Sequence, residues 1–469
     1  MNNIISESEM KFIGYYRLDI RGTKFVWNNR LFIKIYKNAE KFVRSLFESG
    51  LIDELTDKNL FVKTWISDLH FENCDLVLEQ DYYPQSLGLE YWSNSMIVDA
   101  ALTFAKAAEI CIQYGFSIVD THKNNILYVN NKFLICDIGA FDVEMNYGEY
   151  TPVIRNIKSN FLYPLLAGKK DLLGDETSYK VTCLDEEHRM RCAYPNVPYK
   201  IVKMILKYNG VCRETCKRNE SEILSNNNFV KNVIVKLISI YTTKVYLNNK
   251  EHAKEKTIHE LEKLSKDLNQ YDLDNIDSTW SNYHKKMDIN MPSERFMKIM
   301  NKIKNFNVTD SIELGGNSGF FSRLLLKNGA VKKAVVTDYD RGAIDKAYKE
   351  TKKRNDNIIT YRVDFNNISN ETSQKLKSDI LICLAMTHHL ILAQGVDIDC
   401  MMETMRALTR KYIVVEFMPL GLWGGGELPE IPEWYTLDWF IQHFNKKFDM
   451  IEYFETEPNR IAIFGKVKE

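Results

Sequence analysis

The chain has 469 residues, more than one hydrophobic core comfortably organises, and is expected to divide into two or three domains. Its 62 Lys plus Arg against 63 Asp plus Glu leave no positive excess, which argues against a duplex nucleic-acid binder and against a polybasic membrane protein. Nine cysteines scattered without a framework read as reduced thiols of a cytoplasmic protein.

The first ten residues are polar and acidic and lack the apolar run of a signal peptide. From there to 167 the pattern mixes strands and helices. Leu31-Phe32-Ile33-Lys34-Ile35-Tyr36 reads as an aromatic-rich strand. The best helix runs from about Ser95 to Tyr114, with Ile97, Ala101, Phe104, Ala108 and Cys111 at three- and four-residue spacing and Gly115 as its stop. Residues 168–305 form a lysine-rich, mostly helical connector whose stretch Glu251 to Gln270 reads as a solvated helix. Within it, Cys183, His188, Cys192, Cys212 and Cys216 are too loosely spaced for a structural zinc site, and no metal is expected.

Residues 306–469 alternate short apolar runs with helical patterns. Strands are predicted at Ser311–Leu314, Ala334–Thr337, Ile359–Val363, Ile380–Leu384 and Tyr412–Glu416, and a hairpin at Met450–Glu455 and Arg460–Val467 turns at Glu457-Pro458-Asn459. The charge-free run Ile380 to Val396 carries His388, His389 and Gln394 and falls short of the roughly 20 apolar residues of a membrane helix, so no membrane insertion is expected. Strand–helix alternation closing in a hairpin implies an α/β fold: a Rossmann-like, mostly parallel seven-stranded sheet with its last strand antiparallel. Cys136, Cys383 and Cys400 read as small core residues on apolar faces.

The strongest motif is Glu313-Leu314-Gly315-Gly316-Asn317-Ser318-Gly319, between a predicted strand and a helix. Glycines let the backbone turn sharply and approach a ligand, and the helix N-terminus offers unpaired N–H groups. A dinucleotide fingerprint fails because Asn317 and Phe320 stand where glycines are needed, and no Gly-Lys-Ser/Thr tripeptide exists for a phosphate loop. The remaining Glu-x-Gly-x-x-x-Gly resembles the first motif of class I S-adenosylmethionine (SAM) dependent methyltransferases. Asp338 ends the second strand, where a carboxylate accepts ribose hydroxyls, and Asp364-Phe365 ends the third, where such enzymes bind the adenine. Leu384, closing the fourth strand, completes the expected cofactor set.

The run Ile312 to Phe417 resembles a bacterial methyltransferase family that includes the nodulation protein NoeA, as do LFESGLIDEL, LEYWSNSMIVDAAL, GFSIVDTHKNNILYVNNKFLICDIGAF and Trp280-Ser281-Asn282-Tyr283 in the same order. The resemblance implies methyl transfer from SAM to a carbohydrate or other small-molecule acceptor, through oxygen, with no nucleic-acid partner. A hydroxyl acceptor needs a proton acceptor beside it. His388, His389 and Glu416 are the candidates at the strand ends, each with a structural alternative. Gly421-Leu422-Trp423-Gly424-Gly425-Gly426 reads as either a lid over the acceptor or a surface loop.

Asp120-Thr121-His122-Lys123-Asn124-Asn125, a hairpin turning at Asn130-Asn131, and then Asp137-Ile138-Gly139 resemble the catalytic and metal-binding loops of protein and aminoglycoside kinases. By that resemblance Asp120, Asn125 and Asp137 form a kinase-like site, with Mg-ATP as its ligand if it is active. Gly14 and Gly22 are isolated, so no glycine-rich phosphate loop precedes it, and Val119 stands where the usual His would. Lys34 is either its strand lysine, paired with Glu40 or Glu48, or an ordinary exposed lysine. A pseudokinase and a bifunctional kinase–methyltransferase both stay open, as does a non-catalytic SAM-binding scaffold.

Overall fold

The computed structural model describes residues 4–13, 21–143, 150–169, 184–204, 250–270, 278, 280, 287–424 and 426–468. They form two compact units: Met1–Tyr83, Ile97–Tyr128 and Lys132–Asp272 in the first; Pro84–Met96, Val129–Asn131 and Leu273–Glu469 in the second. Cys183, Cys212 and Cys216, and Ser281 to Tyr283, lie outside the described residues. No described helix is long and apolar enough to cross a membrane.

In the first unit, β1 (Lys11–Phe12), β2 (Gly22–Trp27), β3 (Arg30–Ile35), β4 (Thr64–Ile66) and β5 (Val77–Gln80) make an antiparallel sheet in the order β1-β2-β3-β5-β4. Phe25 and Phe32 stack and Phe71 meets both at an angle, with ring centroids 5.0–5.4 Å apart, which explains the aromatic strand pattern. Helix α1 (Glu40–Glu48) follows β3 and α2 (Leu51–Asp57) follows it. Helix α3 (Asn94–Gln113) buries Ile97, Ala101, Phe104, Ala108 and Cys111, the stripe its spacing predicts, and stops at Gly115 with φ +78°. Two short ladders follow: β6 (Phe116–Ile118) with β9 (Phe141–Val143), and β7 (Ile126–Val129) with β8 (Lys132–Ile135). Asn130 and Asn131, at φ +47° and +61°, give the hairpin its left-handed turn. Helix α4 (Tyr150–Ile157) packs with α5 (Lys250–Asn269), whose buried Ala253, Thr257, Leu261, Leu264 and Leu268 are the thin apolar stripe of an otherwise charged helix.

The second unit is built on β10 (Asp310–Leu314), β11 (Lys333–Asp338), β12 (Ile358–Arg362), β13 (Ser378–Cys383), β14 (Thr409–Phe417), β15 (Phe448–Glu457) and β16 (Arg460–Val467). They form one sheet in the order β12-β11-β10-β13-β14-β16-β15. The first five are parallel, and β16 lies antiparallel between β14 and β15. The order reverses at β10, so the ends of β10 and β13 flank the switch point where such sheets hold ligands. Helices α7 (Phe320–Lys327), α8 (Arg341–Arg354), α9 (Asn370–Leu376), α10 (Ile398–Ala407) and α11 (Leu437–Phe444) connect the strands.

Helix α6 (Glu294–Ile303) falls within the span read as connector, yet its Phe296, Ile299, Met300 and Ile303 are buried with Phe320, Leu324, Ile380, Val414 and Phe464 in the core of this sheet. The helix is amphipathic, and its apolar face needs the sheet to leave water. Cys383 and Cys136 are buried as expected, but Cys400 is exposed: it sits on the solvent side of α10, whose Ile398, Met401, Met402 and Met405 turn inward.

Candidate active site

β10 delivers Leu314 to the switch point, and the chain then turns through Gly315 at φ +64° and Gly319 at φ +74°. A side chain at Gly315 would place its Cβ 2.9 Å from Met386 Sδ, so the loop after β13 closes directly on the glycine turn. Glu313 does not face this opening. It is buried, and its Oε2 accepts from the Ser322 amide at 3.1 Å and the Ser322 hydroxyl at 2.5 Å, tying the strand to α7. Burial pushes its pKa up to about 7, against the pull of the Ser322 bonds.

Asp338 stands at the end of the neighbouring β11. Its Oδ2 accepts from Asn317 N and its Oδ1 from Asp340 N, both at 2.9 Å. Each carboxylate oxygen keeps a further lone pair. Burial raises the Asp338 pKa to about 6 despite those amides. The Asn317 amide group donates to Trp280 O at 2.6 Å, and Ser278 Oγ donates to Asp340 at 2.5 Å, so Ser278 and Trp280 are fastened beside the loop. Asp364 caps a short 3-10 turn, accepting from Asn366 N at 3.0 Å and Asn367 Nδ2 at 2.5 Å, and Phe365 beside it is half-buried.

After Leu384, which is buried, Ala385 takes φ +54° and the chain enters a π-helical turn at His389–Ala393. The His388 and His389 rings lie 4.2 Å apart, and the Trp280 ring meets His389 edge-on at 5.5 Å. His388 is 5% exposed and its Nδ1 has no hydrogen-bond partner. Burial, then His389 and Arg460, lower its pKa to about 3, and burial lowers that of His389 as well. Both are therefore neutral at physiological pH, and His388 is a weak base.

Glu416 has both oxygens occupied. Arg295 Nε donates to Oε1 at 2.7 Å and Nη2 to Oε2 at 2.5 Å, while Ala385 N and Arg460 Nη1 reach Oε2 at 2.9 and 3.3 Å. A fully buried carboxylate whose oxygens are taken up by two guanidiniums and a backbone amide is not free to take a substrate proton. The expectation of a base at Glu416 gives way to a positioning role. Arg295 and Arg460 escaped the sequence reading because α6 and β16 are remote in sequence from β14.

In the first unit, Asn125 O accepts from Cys136 N at 2.9 Å, and Asn125 Nδ2 donates to Asp120 O at 3.3 Å, so Asp120, Asn125 and Asp137 come together. Lys34 does not join them; its Nζ lies 4.0 Å from Glu7. The lysine at the cluster is Lys24, whose Nζ is 3.3 Å from Asp137 Oδ1. Lys24 sits opposite Ile33 in the ladder, and Lys34 opposite Thr23, which puts the two lysines on opposite faces. That register was the missing signal. Thr121, between Asp120 and His122, is fully buried with its Oγ1 unpartnered. Among the described residues no cluster of three His, Cys, Asp or Glu side chains forms a metal site, and His188 Nδ1 instead meets Asp185 Oδ2 at 2.8 Å.

The sheet order, with its antiparallel β16 inserted beside β14, is decisive for architecture. The second unit has the α/β class I methyltransferase fold. No family model matches the chain. Nodulation protein NoeA of Rhizobium meliloti (strain 1021) is 30% identical over 118 residues, 23% of this chain and 24% of NoeA. The match thus spans about a quarter of the length of that curated relative. Among solved structures, the PH0226 protein of Pyrococcus horikoshii OT3 is 14% identical over 40% of this chain and 99% of its own, with a TM-score of 0.33. A S-adenosylmethionine-dependent methyltransferase from Clostridium acetobutylicum ATCC 824 is 11% identical over 40% and 95%, with a TM-score of 0.31. The N-methyltransferase NodS of Bradyrhizobium japonicum WM9, in complex with S-adenosyl-l-homocysteine, is 15% identical over 42% and 95%, with a TM-score of 0.32.

Proposed function

We propose that this chain is a SAM-dependent methyltransferase acting on a carbohydrate or other small-molecule acceptor, with oxygen as the methylated atom. The observation that carries it is the pairing of the glycine turn with Asp338: a turn in which Gly315 takes φ +64° and a Cβ would press on Met386 Sδ, beside a carboxylate with lone pairs to spare. Gly315, Gly316 and Gly319 give the cofactor close access to backbone, Asp338 accepts its ribose hydroxyls, and Asp364 with Phe365 and Leu384 border its base. Bound there, SAM supplies an electrophilic sulfonium methyl. The protein's own part is positioning and exclusion of water, because the leaving thioether is neutral. His388 orients the acceptor hydroxyl by hydrogen bonding, and the neutral, more exposed His389 takes the hydroxyl proton as the oxygen–methyl bond forms and the methyl–sulfur bond breaks, passing it to solvent. Glu416 fixes Ala385 and Thr387 beneath them through the Ala385 amide and the Thr387 hydroxyl bond to Glu416 O at 2.5 Å. Calorimetry with S-adenosylhomocysteine, alongside transfer from labelled SAM into fractionated cell extract with Asp338→Ala as control, tests the reading. No heat from the pure protein rejects it.

A second reading concerns the first unit. Its β1-β2-β3-β5-β4 order and the meeting of Asp120, Asn125 and Asp137 favour a kinase-derived module, with lost phosphotransfer more in keeping with the absent glycine loop than an active site using Mg-ATP. Three segments, 1–167, 168–305 and 306–469, remain our division by function, with α6 lending its apolar face to the last. A thermal-shift titration with ATP and magnesium discriminates: Asp137→Ala abolishes any shift of a working site, and no shift in the parent protein marks a module that has lost nucleotide binding.

A further inference from the structure

The loop from β14 to α11 carries three carboxylates, Glu427, Glu430 and Glu433, the first turn of α11 adds Asp438, and no lysine or arginine falls between 418 and 445. It also carries an aromatic group that the core does not consume. Trp434 is 49% exposed and touches the half-buried Trp439 at 4.7 Å between ring centroids. Tyr435 lies 5.9 Å from each of these indoles and 4.9 Å from Phe417 at the end of β14; it is 3% exposed, and its hydroxyl has no hydrogen-bond partner. On the other side of the same strand end, Thr387 is bonded to Glu416 O, and the next residue is His388 with its unpartnered Nδ1. The loop also folds back over the π-helical turn, where a Cβ on Gly421 would stand 2.8 Å from Leu392 Cδ1.

Two buried polar groups without partners beside one strand end are uncommon, since such groups are nearly always satisfied. Resting on the methyltransferase reading, the geometry points to an acceptor subsite for a neutral carbohydrate, with the exposed Trp434 indole, backed by Trp439, as the stacking face and Tyr435 Oη and His388 Nδ1 as hydrogen-bonding groups for ring hydroxyls. A sugar ring offers both halves of this match: an apolar face of C–H groups for the exposed indole and a set of hydroxyls for the two unsatisfied atoms. The carboxylates repel a phosphorylated or sulfated acceptor. The Trp434 and Trp439 planes meet at 60°, so the open face for stacking is that of the exposed Trp434, with Trp439 buttressing it.

The test is saturation-transfer NMR on the full chain with glucose, galactose, mannose and N-acetylglucosamine, each with and without saturating S-adenosylhomocysteine, and glucosamine as a cationic comparison. A neutral sugar is expected to show transfer, with affinity falling at least tenfold in Trp434→Ala and several-fold in Tyr435→Phe while the heat of S-adenosylhomocysteine binding stays unchanged. Tyr435→Phe keeps the ring packing, so a merely structural tyrosine leaves sugar affinity intact and overturns the assignment. Absence of transfer from every neutral sugar, or binding of glucosamine alone, overturns it too, even where S-adenosylhomocysteine binds. Sugar binding that depends on Trp434 without any S-adenosylhomocysteine heat upholds the platform and defeats the methyltransferase reading.

Discussion

Arg295 and Glu416 meet in a two-pronged pair, Nε to Oε1 at 2.7 Å and Nη2 to Oε2 at 2.5 Å, with exposures of 5% and 0%. The pair ties α6, the helix ahead of the sheet, to the end of β14, and Glu416 in turn anchors Ala385 at the head of the histidine turn. Without Arg295 the fully buried Glu416 loses its two-pronged partner and keeps only Arg460, at 3.3 Å, and the Ala385 amide. Arg295→Ala is therefore expected to cost about 3–5 kcal/mol in urea unfolding. The paired change Arg295→Met with Glu416→Leu is expected to recover part of that loss, because Arg460, which also loses Glu416, keeps Glu457 at 3.6 Å.

Under the proposed function, Asp338 makes cofactor binding depend on pH. Its folded pKa is raised to about 6, so the carboxylate that this reading offers to the ribose hydroxyls is fully formed only above that value. The affinity for S-adenosylhomocysteine is expected to climb between pH 5 and 7 and level off above. Asp338→Asn flattens the curve and lowers affinity about tenfold or more, consistent with loss of a charge-assisted bond. Glu313 contributes separately, through stability. Its folded pKa of about 7 lies above its unfolded value, so its contribution is complete below pH ~4.5 and is lost as pH rises toward 7, a span of about 3 kcal/mol. Melting curves of Glu313→Gln against the parent should differ by that falling limb.

Gly315→Ala probes the turn itself. The φ of +64° strains any other residue, and the new methyl group meets Met386 Sδ, the movable end of a side chain. The expected cost in stability is about 1–3 kcal/mol, most of it backbone strain. Cofactor affinity should fall further than stability does, because Met386 must shift at the switch point; equal S-adenosylhomocysteine heats in parent and variant contradict a cofactor at this turn.

Much of this arrangement was legible in the residue pattern. The strands from β10 to β16 stand out because buried parallel strands are continuous apolar runs between turn residues, and Arg460–Val467 coincides end to end with its predicted span. Asp338 and the glycine turn follow from strand-end spacing. What the pattern hid are contacts between segments remote in sequence. Arg295 reaches Glu416 from 121 positions away, and the face on which Lys24 or Lys34 emerges is fixed by the pairing of β2 with β3. The buried state of Glu416 was equally hidden, since a strand-end carboxylate reads alike whether it meets substrate or guanidinium.

His388 is expected to leave no mark on the acidic side of a pH–rate profile. Its pKa of about 3 keeps the imidazole neutral from pH 5 upward, so a rate limb near 6.5 belongs to another group. Depression below the unfolded value also means that its contribution to stability is present above pH 6.5 and lost as pH falls toward 3. His388→Asn should thus gain on the parent in melting temperature as the pH is lowered from 7 to 5. Under the proposed role its turnover drops while S-adenosylhomocysteine heat is retained.

Lys24 and Lys34 separate the two views of the first unit. Lys24 is within ion-pair distance of Asp137, in the cluster with Asp120 and Asn125, whereas Lys34 meets Glu7 on the opposite face of the ladder. A phosphate group held at Asp137 through magnesium would draw on the nearer lysine, since a cation 3.3 Å from that carboxylate shares its field. If ATP with magnesium raises the melting temperature at all, Lys24→Ala is expected to remove most of the shift and Lys34→Ala to leave it within about 1 °C of the parent. The reverse ranking assigns nucleotide binding to the Lys34 face and separates it from Asp137.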